Sequence, residues 1–159
     1  MNFPQPALYY ALNPTTNTTK TMSESECNNP PAMPPGLFGW NELITSDREA
    51  AKQFYAATFG WVAETREMAP GFEYTLFKLG GATVGGMIHL PPDSCPAKPQ
   101  WLSYVLSADI GADLAKAKAA GAEILKEATE IPNTGTLAIL RDPQGAVFAL
   151  WKCTVAPCD

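Results

Sequence analysis

Between residues 37 and 152 the chain is built from short apolar-polar runs, and the same order of runs occurs twice. Trp40 to Asp47 reads W-N-E-L-I-T-S-D, and Leu102 to Asp109 reads L-S-Y-V-L-S-A-D. Each is a strand-like run stopped by an aspartate. After each aspartate comes a stretch with helical spacing that ends at a glycine, Gly60 in the first copy and Gly121 in the second. Short β-type runs follow in both. A repeat of this kind predicts two packed halves with a site between them.

In the first half, Phe38 to Thr45 is predicted as a strand. Asp47 is a plausible N-cap, and Ser46 with Glu49 has capping-box spacing. The helix places Ala51, Phe54, Tyr55 and Thr58 on one face, with Phe54 and Tyr55 expected in the core, and Gly60 ends it. Trp61 to Glu64, Tyr74 to Leu79 and Thr83 to His89 read as three further strands, the last two joined at Gly80-Gly81. A proline-rich connector, residues 91–99, leads to the second half. There Trp101 to Ser107 is a strand, and Asp109 caps a helix carrying Ile110, Leu114, Ala117 and Lys118. Glu123 to Lys126, Thr136 to Leu140 and Ala146 to Trp151 complete the set. Asp142-Pro143-Gln144-Gly145 is a turn signal, with proline preset at the second position and glycine at the fourth. Each half is therefore β-α-β-β-β. The expected fold is α+β: two βαβββ modules, residues 37–90 and 99–152, forming a curved eight-stranded mixed sheet with the helices outside.

Composition narrows the class. The 159 residues include 46% apolar and 17% charged side chains, ordinary for a globular domain. A net charge of −5 without a basic run argues against a nucleic-acid partner. No apolar run approaches the roughly 20 residues of a membrane span. Residues 1–36, rich in Pro, Asn, Thr and Ser, have no periodicity and are expected to be a disordered tail, and residues 153–159 are expected to form a C-terminal tail. Met22 opens a more conventional beginning. The first residues lack a basic and apolar leader, so a cytoplasmic location is expected and the Asn17-Thr18-Thr19 sequon carries no meaning. The four cysteines, Cys27, Cys95, Cys153 and Cys158, form no C-x-x-C pair. They read as thiols of a reducing compartment, with a Cys153–Cys158 bridge as the other option.

Two segments carry a family resemblance: W-N-E-L-I-T-S-D-R-E-A-A-K-Q-F-Y-A-A-T-F-G-W from Trp40, and R-D-P-Q-G-A-V-F-A-L-W from Arg141. The order and spacing resemble the vicinal oxygen chelate superfamily, which includes glyoxalase I, bleomycin-resistance proteins, extradiol dioxygenases and methylmalonyl-CoA epimerase. The resemblance covers residues 37–152. In metal-bearing members it implies four ligand positions, usually His, Gln or Glu, and these fall here at Trp40, about Gly85, Leu102 and Ala149. None of those side chains suits a divalent cation. No cofactor is therefore expected, with a divalent metal left open although its usual ligands are absent. The resemblance also implies association as a homodimer.

Strand alternation then predicts the lining of the site. If Trp40 faces inward, so does Glu42; Leu102 brings Tyr104, Gly85 brings Met87 and His89, and Ala149 brings Trp151. The expected ligand-binding set is Trp40, Glu42, Met87, His89, Leu102, Tyr104, Ala149 and Trp151: an apolar, aromatic cavity with a few polar groups. Glu42 and His89 alone have acid-base capacity. A carboxyl desolvated among aromatic rings has a raised pKa and could act as a catalytic base, or it is solvated and ion-paired at a strand end. His89 is equally readable as a rim residue. Tyr104, Trp101 and Trp151 could stack a planar ligand or simply pack, and Arg141 could hold an anion or sit exposed on its hairpin. Three functions remain. A binding module predicts saturable uptake of a small apolar or aromatic molecule without metal. A glyoxalase-type lyase or isomerase, using an atypical metal site of Glu42 and His89 or Glu42 alone as base, predicts that Glu42→Gln abolishes turnover. An interaction subunit predicts a dimer scaffold.

Overall fold

A computed structural model describes residues 33–69, 71–90, 98–131 and 134–153. The expected tail (most of residues 1–36), Met22, the sequon, Cys27, Cys95, Cys158 and most of the connector lie outside the described residues. The elements run β1 (Phe38–Thr45), α1 (Arg48–Phe59), β2 (Val62–Ala69), β3 (Phe72–Leu79), β4 (Ala82–His89), β5 (Gln100–Leu106), α2 (Ile110–Ala119), β6 (Glu123–Ile131), β7 (Gly135–Arg141) and β8 (Val147–Cys153). The eight strands form one mixed, open sheet in the order β2-β3-β4-β1-β5-β8-β7-β6. None of the described helices is long and apolar enough to cross a membrane.

The two aspartates start their helices as the sequence predicts. Asp47 accepts a hydrogen bond from the Ala50 N–H at 2.9 Å, and Asp109 accepts one from Ala112 at 3.0 Å. Gly60 ends α1 in a left-handed conformation that a side chain would strain. The Asp142 turn closes β7 onto β8, its carboxyl accepting from the N–H groups of Gln144 and Ala146. β2 and β6 run longer than expected, to Ala69 and Ile131, because they are the two sheet edges. Their outer halves are charged and exposed, so no alternating pattern marks them, and the same charges discourage edge-to-edge pairing.

The halves meet through an antiparallel β1/β5 pair in which Trp40 lies opposite Tyr104, Asn41 opposite Ser103 and Glu42 opposite Leu102. Both helices pack on one face. There Leu43, Phe77 and Met87 form a core with Tyr55, Trp61 and Trp101 under α1, and Ala138, Leu140 and Leu150 form another with Ile110 and Leu114 of α2. On the other face Ile44, Leu102, Tyr104, Ile139 and Ala149 are buried with no helix over them. Among the described residues, the side chains packed on them come from the sheet and from Leu90 just past β4. The sheet therefore curls into a cup whose walls come from both halves.

One expectation about α1 fails. Phe54, expected in the core, is 58% exposed, and α1 buries no residue. The helix touches the sheet side through Ala51 and Tyr55, which stand one turn apart, and that contact turns Phe54 outward.

Candidate functional site

The floor of the cup holds one buried carboxyl. Glu42 projects from β1, and the Tyr104 hydroxyl from β5 donates to its Oε2 at 2.7 Å. Tyr74, from β3, also acts on this carboxyl and, like Tyr104, lowers its pKa against the effect of burial. The Tyr74 oxygen in turn accepts from the indole N–H of Trp40 at 3.0 Å. Two hydrogen-bonded pairs thus stand beside each other, Trp40–Tyr74 and Tyr104–Glu42, with Trp151 edge-on to Tyr104 at 6.4 Å between ring centres. No buried side-chain nitrogen or oxygen among the described residues is left without a partner.

Glycine makes this chain of contacts fit. Gly86 lies opposite Glu42 on β4. A Cβ there would run into the Tyr74 hydroxyl and crowd the Trp40 indole nitrogen. The missing side chain lets the Tyr74 ring lie across β4, where its oxygen meets the Trp40 indole N–H.

Burial pushes the Glu42 pKa up, and Tyr104, with Tyr74, offsets that only in part. Burial also pushes the Tyr74 and Tyr104 hydroxyls far above their ordinary range, and the neighbouring Glu42 charge adds to it. Every ionisation in this cluster is thus opposed by removal from water.

Six of the predicted lining residues, Trp40, Glu42, Leu102, Tyr104, Ala149 and Trp151, come together on the cup face. Met87 and His89 do not. Met87 is fully buried on the helix side with Leu43 and Phe77, and His89 is exposed at the end of β4. The frame taken from Gly85 is one residue out. On β3 the step from Phe77 to Lys78 matches a step from Gly85 to Thr83 on β4. That bulge inserts an extra residue and reverses the alternation, so Gly86 and Ile88 face the cup instead. Trp101 also lies on the helix side, where its indole donates to the Tyr55 hydroxyl at 2.8 Å. Arg141 pairs with Glu123 across the β6/β7 hairpin.

Tyr74 escaped the sequence reading. Its signal was the Gly85-Gly86 pair: a glycine on a buried face calls for a bulky neighbour on the adjacent strand.

The donor set does not fit a divalent metal. Of the positions facing the cup, Trp40, Gly86, Leu102 and Ala149 have no side chain that coordinates a cation, and Glu42 is the one carboxyl. No group of three or more His, Cys, Asp or Glu able to hold a metal occurs among the described residues. Two surface hollows lie elsewhere, on the helix side. One of about 420 Å³ is lined by Leu43, Phe54, Tyr55 and Trp101, and one of about 400 Å³ by Phe38, Val105 and Phe148.

Comparison with known proteins supports the architecture. The sequence model of the Glyoxalase/Bleomycin resistance protein/Dioxygenase superfamily matches residues 37–150. The chain is 39% identical over 117 residues to "Putative glyoxylase CFP32" of Mycobacterium bovis, covering 74% of this chain and 44% of that protein. It is 27% identical over 130 residues to the anthracycline biosynthesis protein DnrV of Streptomyces peucetius, covering 74% and 47% respectively. The chain thus spans about half the length of the curated relatives it matches. Among solved structures, Streptomyces coelicolor methylmalonyl-CoA epimerase in complex with 2-nitronate-propionyl-CoA superposes with a TM-score of 0.55. The identity is 17%, over 77% of this chain and 100% of the epimerase. At that identity the likeness is one of fold.

Proposed function

The chain belongs to the Glyoxalase/Bleomycin resistance protein/Dioxygenase superfamily, and on that footing we propose that its cup binds a small, partly apolar or aromatic molecule without a metal. The observation that carries this reading is the Glu42 cluster: a buried carboxyl held by Tyr104 beside Tyr74, Trp40 and Trp151, with no second carboxyl on that face among the described residues. Apolar walls with a few fixed polar groups are the usual make-up of a small-molecule site. Two relatives named for anthracycline biosynthesis, and an epimerase held in complex with a CoA-derived ligand, support a small-molecule role. We place this activity in one domain over residues 37–152, in the cytoplasm, in a homodimer, with no nucleic acid or membrane as partner.

The test is direct. Fluorene added to the purified protein should quench tryptophan fluorescence saturably. Trp151→Ala, which removes one wall, should weaken binding by about tenfold. Elemental analysis of protein purified without affinity tags or chelators should find no stoichiometric divalent metal. Unsaturable quenching, or one metal per chain, overturns the reading.

The second reading is a glyoxalase-type lyase or isomerase with Glu42 as base. It is favoured by the raised pKa of that carboxyl, which makes it a stronger base once ionised. Turnover that survives Glu42→Gln in a folded protein would eliminate it.

A further inference from the structure

The two helices leave a strip of their side of the sheet uncovered among the described residues. α1 packs chiefly on β2 and β4, and α2 on β6, β7 and β8. The β1/β5 seam runs between them. Three strand pairs mark its length: Leu43 opposite Trp101, Asn41 opposite Ser103, and Phe38 opposite Val105. The hollow beside Phe54 sits at the first pair and the hollow beside Phe148 at the last. Each has an exposed phenylalanine at its edge, Phe54 in one and Phe38, 64% exposed, in the other. Polar groups along the seam are already engaged within the chain. Asp47 and Asp142 accept from backbone N–H groups, Thr45 from the Asp47 N–H, Tyr55 from the Trp101 indole and Asn41 from the Ser103 hydroxyl. No lysine or arginine lines either hollow. Removing water from this face therefore strands few hydrogen-bonding groups.

We propose that a second copy of the chain covers this seam, the two packing back to back, each seating Phe38 and Phe54 against the other's hollows, with both cups facing outward. This rests on the homodimer reading given above and locates its interface. Contact about a two-fold axis requires knob and socket on the same patch, and both are present here. Ten residues line one hollow and seven the other, with none shared. That is most of the roughly 20–30 a side that a standard interface uses. α1 points the same way. Its twelve residues bury none in the single chain, whereas a helix is held mainly by packing its apolar face. Ala50 and Ala51, beside Phe54 in the hollow, are small enough for a neighbouring molecule to come close. The two carboxylates of the seam sit on the N–H groups of a helix start and a turn, which offset their charge.

Sedimentation velocity of the full chain over a concentration series tests this. The unaltered protein should sediment at twice the chain mass and dissociate on dilution. Diluted below its dissociation constant, the chain is a monomer with Phe54 in water, the state in which unfolding is to be measured. Phe54→Arg and Ala146→Arg put a charge at opposite ends of the seam, and each should raise the dissociation constant about thirtyfold. Ala146→Arg keeps the backbone N–H that Asp142 uses, so it carries the test if Phe54→Arg does not fold. Phe72→Arg, at an exposed phenylalanine that lines neither hollow, should leave the constant unchanged. Each chain carries a net charge of −5, so added salt should tighten the dimer by screening the repulsion between copies. A dimer that survives both seam substitutions, or that Phe72→Arg weakens equally, overturns the inference and leaves the homodimer reading standing. So does a dimer that salt loosens, because its contacts would be ion pairs. A monomer at every concentration ends both, and leaves binding in the cup to be decided by fluorene.

Discussion

The two halves share a plan and divide the work unequally. In the first, α1 buries no residue, exposes Phe54 and Phe59, and rests on an aromatic cluster of Tyr55, Trp61, Phe77 and Trp101. In the second, α2 buries Ile110 and Leu114 against the aliphatic Ala138, Leu140 and Leu150. The same contrast holds inside the cup. Trp40, Glu42 and Tyr74 come from the first half, while the second supplies Tyr104, Trp151 and an apolar wall of Leu102, Ile139 and Ala149. Repeating a backbone fixes where side chains point and leaves open which ones they are. One half carries the polar chemistry and a loosely seated helix; the other carries the tighter core.

The largest expected effect sits in the aromatic cluster. Phe77 is fully buried, and Phe77→Ala should cost about 3–5 kcal/mol in denaturant unfolding. Phe54→Ala, at an exposed position on α1, should stay within about 0.5 kcal/mol. A large loss from Phe54→Ala would show that α1 is covered by something else and would break the contrast between the helices.

The next effect is a slope with pH. The folded pKa of Glu42 lies above its ordinary value of 4.5. The unfolded chain therefore gives up its proton first as pH rises. Between the two values the folded state binds more protons, so stability is full below 4.5, falls as pH climbs toward the folded pKa, and levels off beyond it. One proton supplies at most about 1.4 kcal/mol per pH unit. Glu42→Gln should remove this slope, measured as denaturation midpoint against pH, whereas Leu102→Met, on the facing strand, should keep it. A slope that persists in Glu42→Gln would place the titration elsewhere.

The smallest effect separates the helices again. Asp47→Ala and Asp109→Ala each remove one capping hydrogen bond, worth about 1 kcal/mol. Amide hydrogen exchange should show the first loss confined to α1, as local fraying, and the second spread over the helix and the strands it packs on. Equal spreading would mean that α1 is as firmly seated as α2.

Much of this was legible in the chain. β1 spans the predicted Phe38–Thr45, both aspartates cap their helices, and the Asp142 turn closes the last hairpin. These are local signals, readable where backbone chemistry needs a particular residue. Met87 and His89 were placed on the wrong face because alternation counts residues, and the bulge at Thr83–Gly85 adds one that leaves no mark in the pattern. Tyr74 was missed because its importance is created across strands, by a glycine on β4 and a carboxyl on β1. Phe54 misled because apolar spacing on a helix predicts a face without saying how wide the contact is.

The hydrogen bond between Glu42 and Tyr104 joins residues 62 positions apart, as does the one between Asn41 and Ser103. That interval also separates the two capping aspartates, so each bond links a position to its own counterpart in the duplicate. Two identical copies meeting here would have set acid against acid, or phenol against phenol. A single polypeptide carrying both copies can mutate them separately, and only then does an unlike, proton-sharing couple become available at the axis.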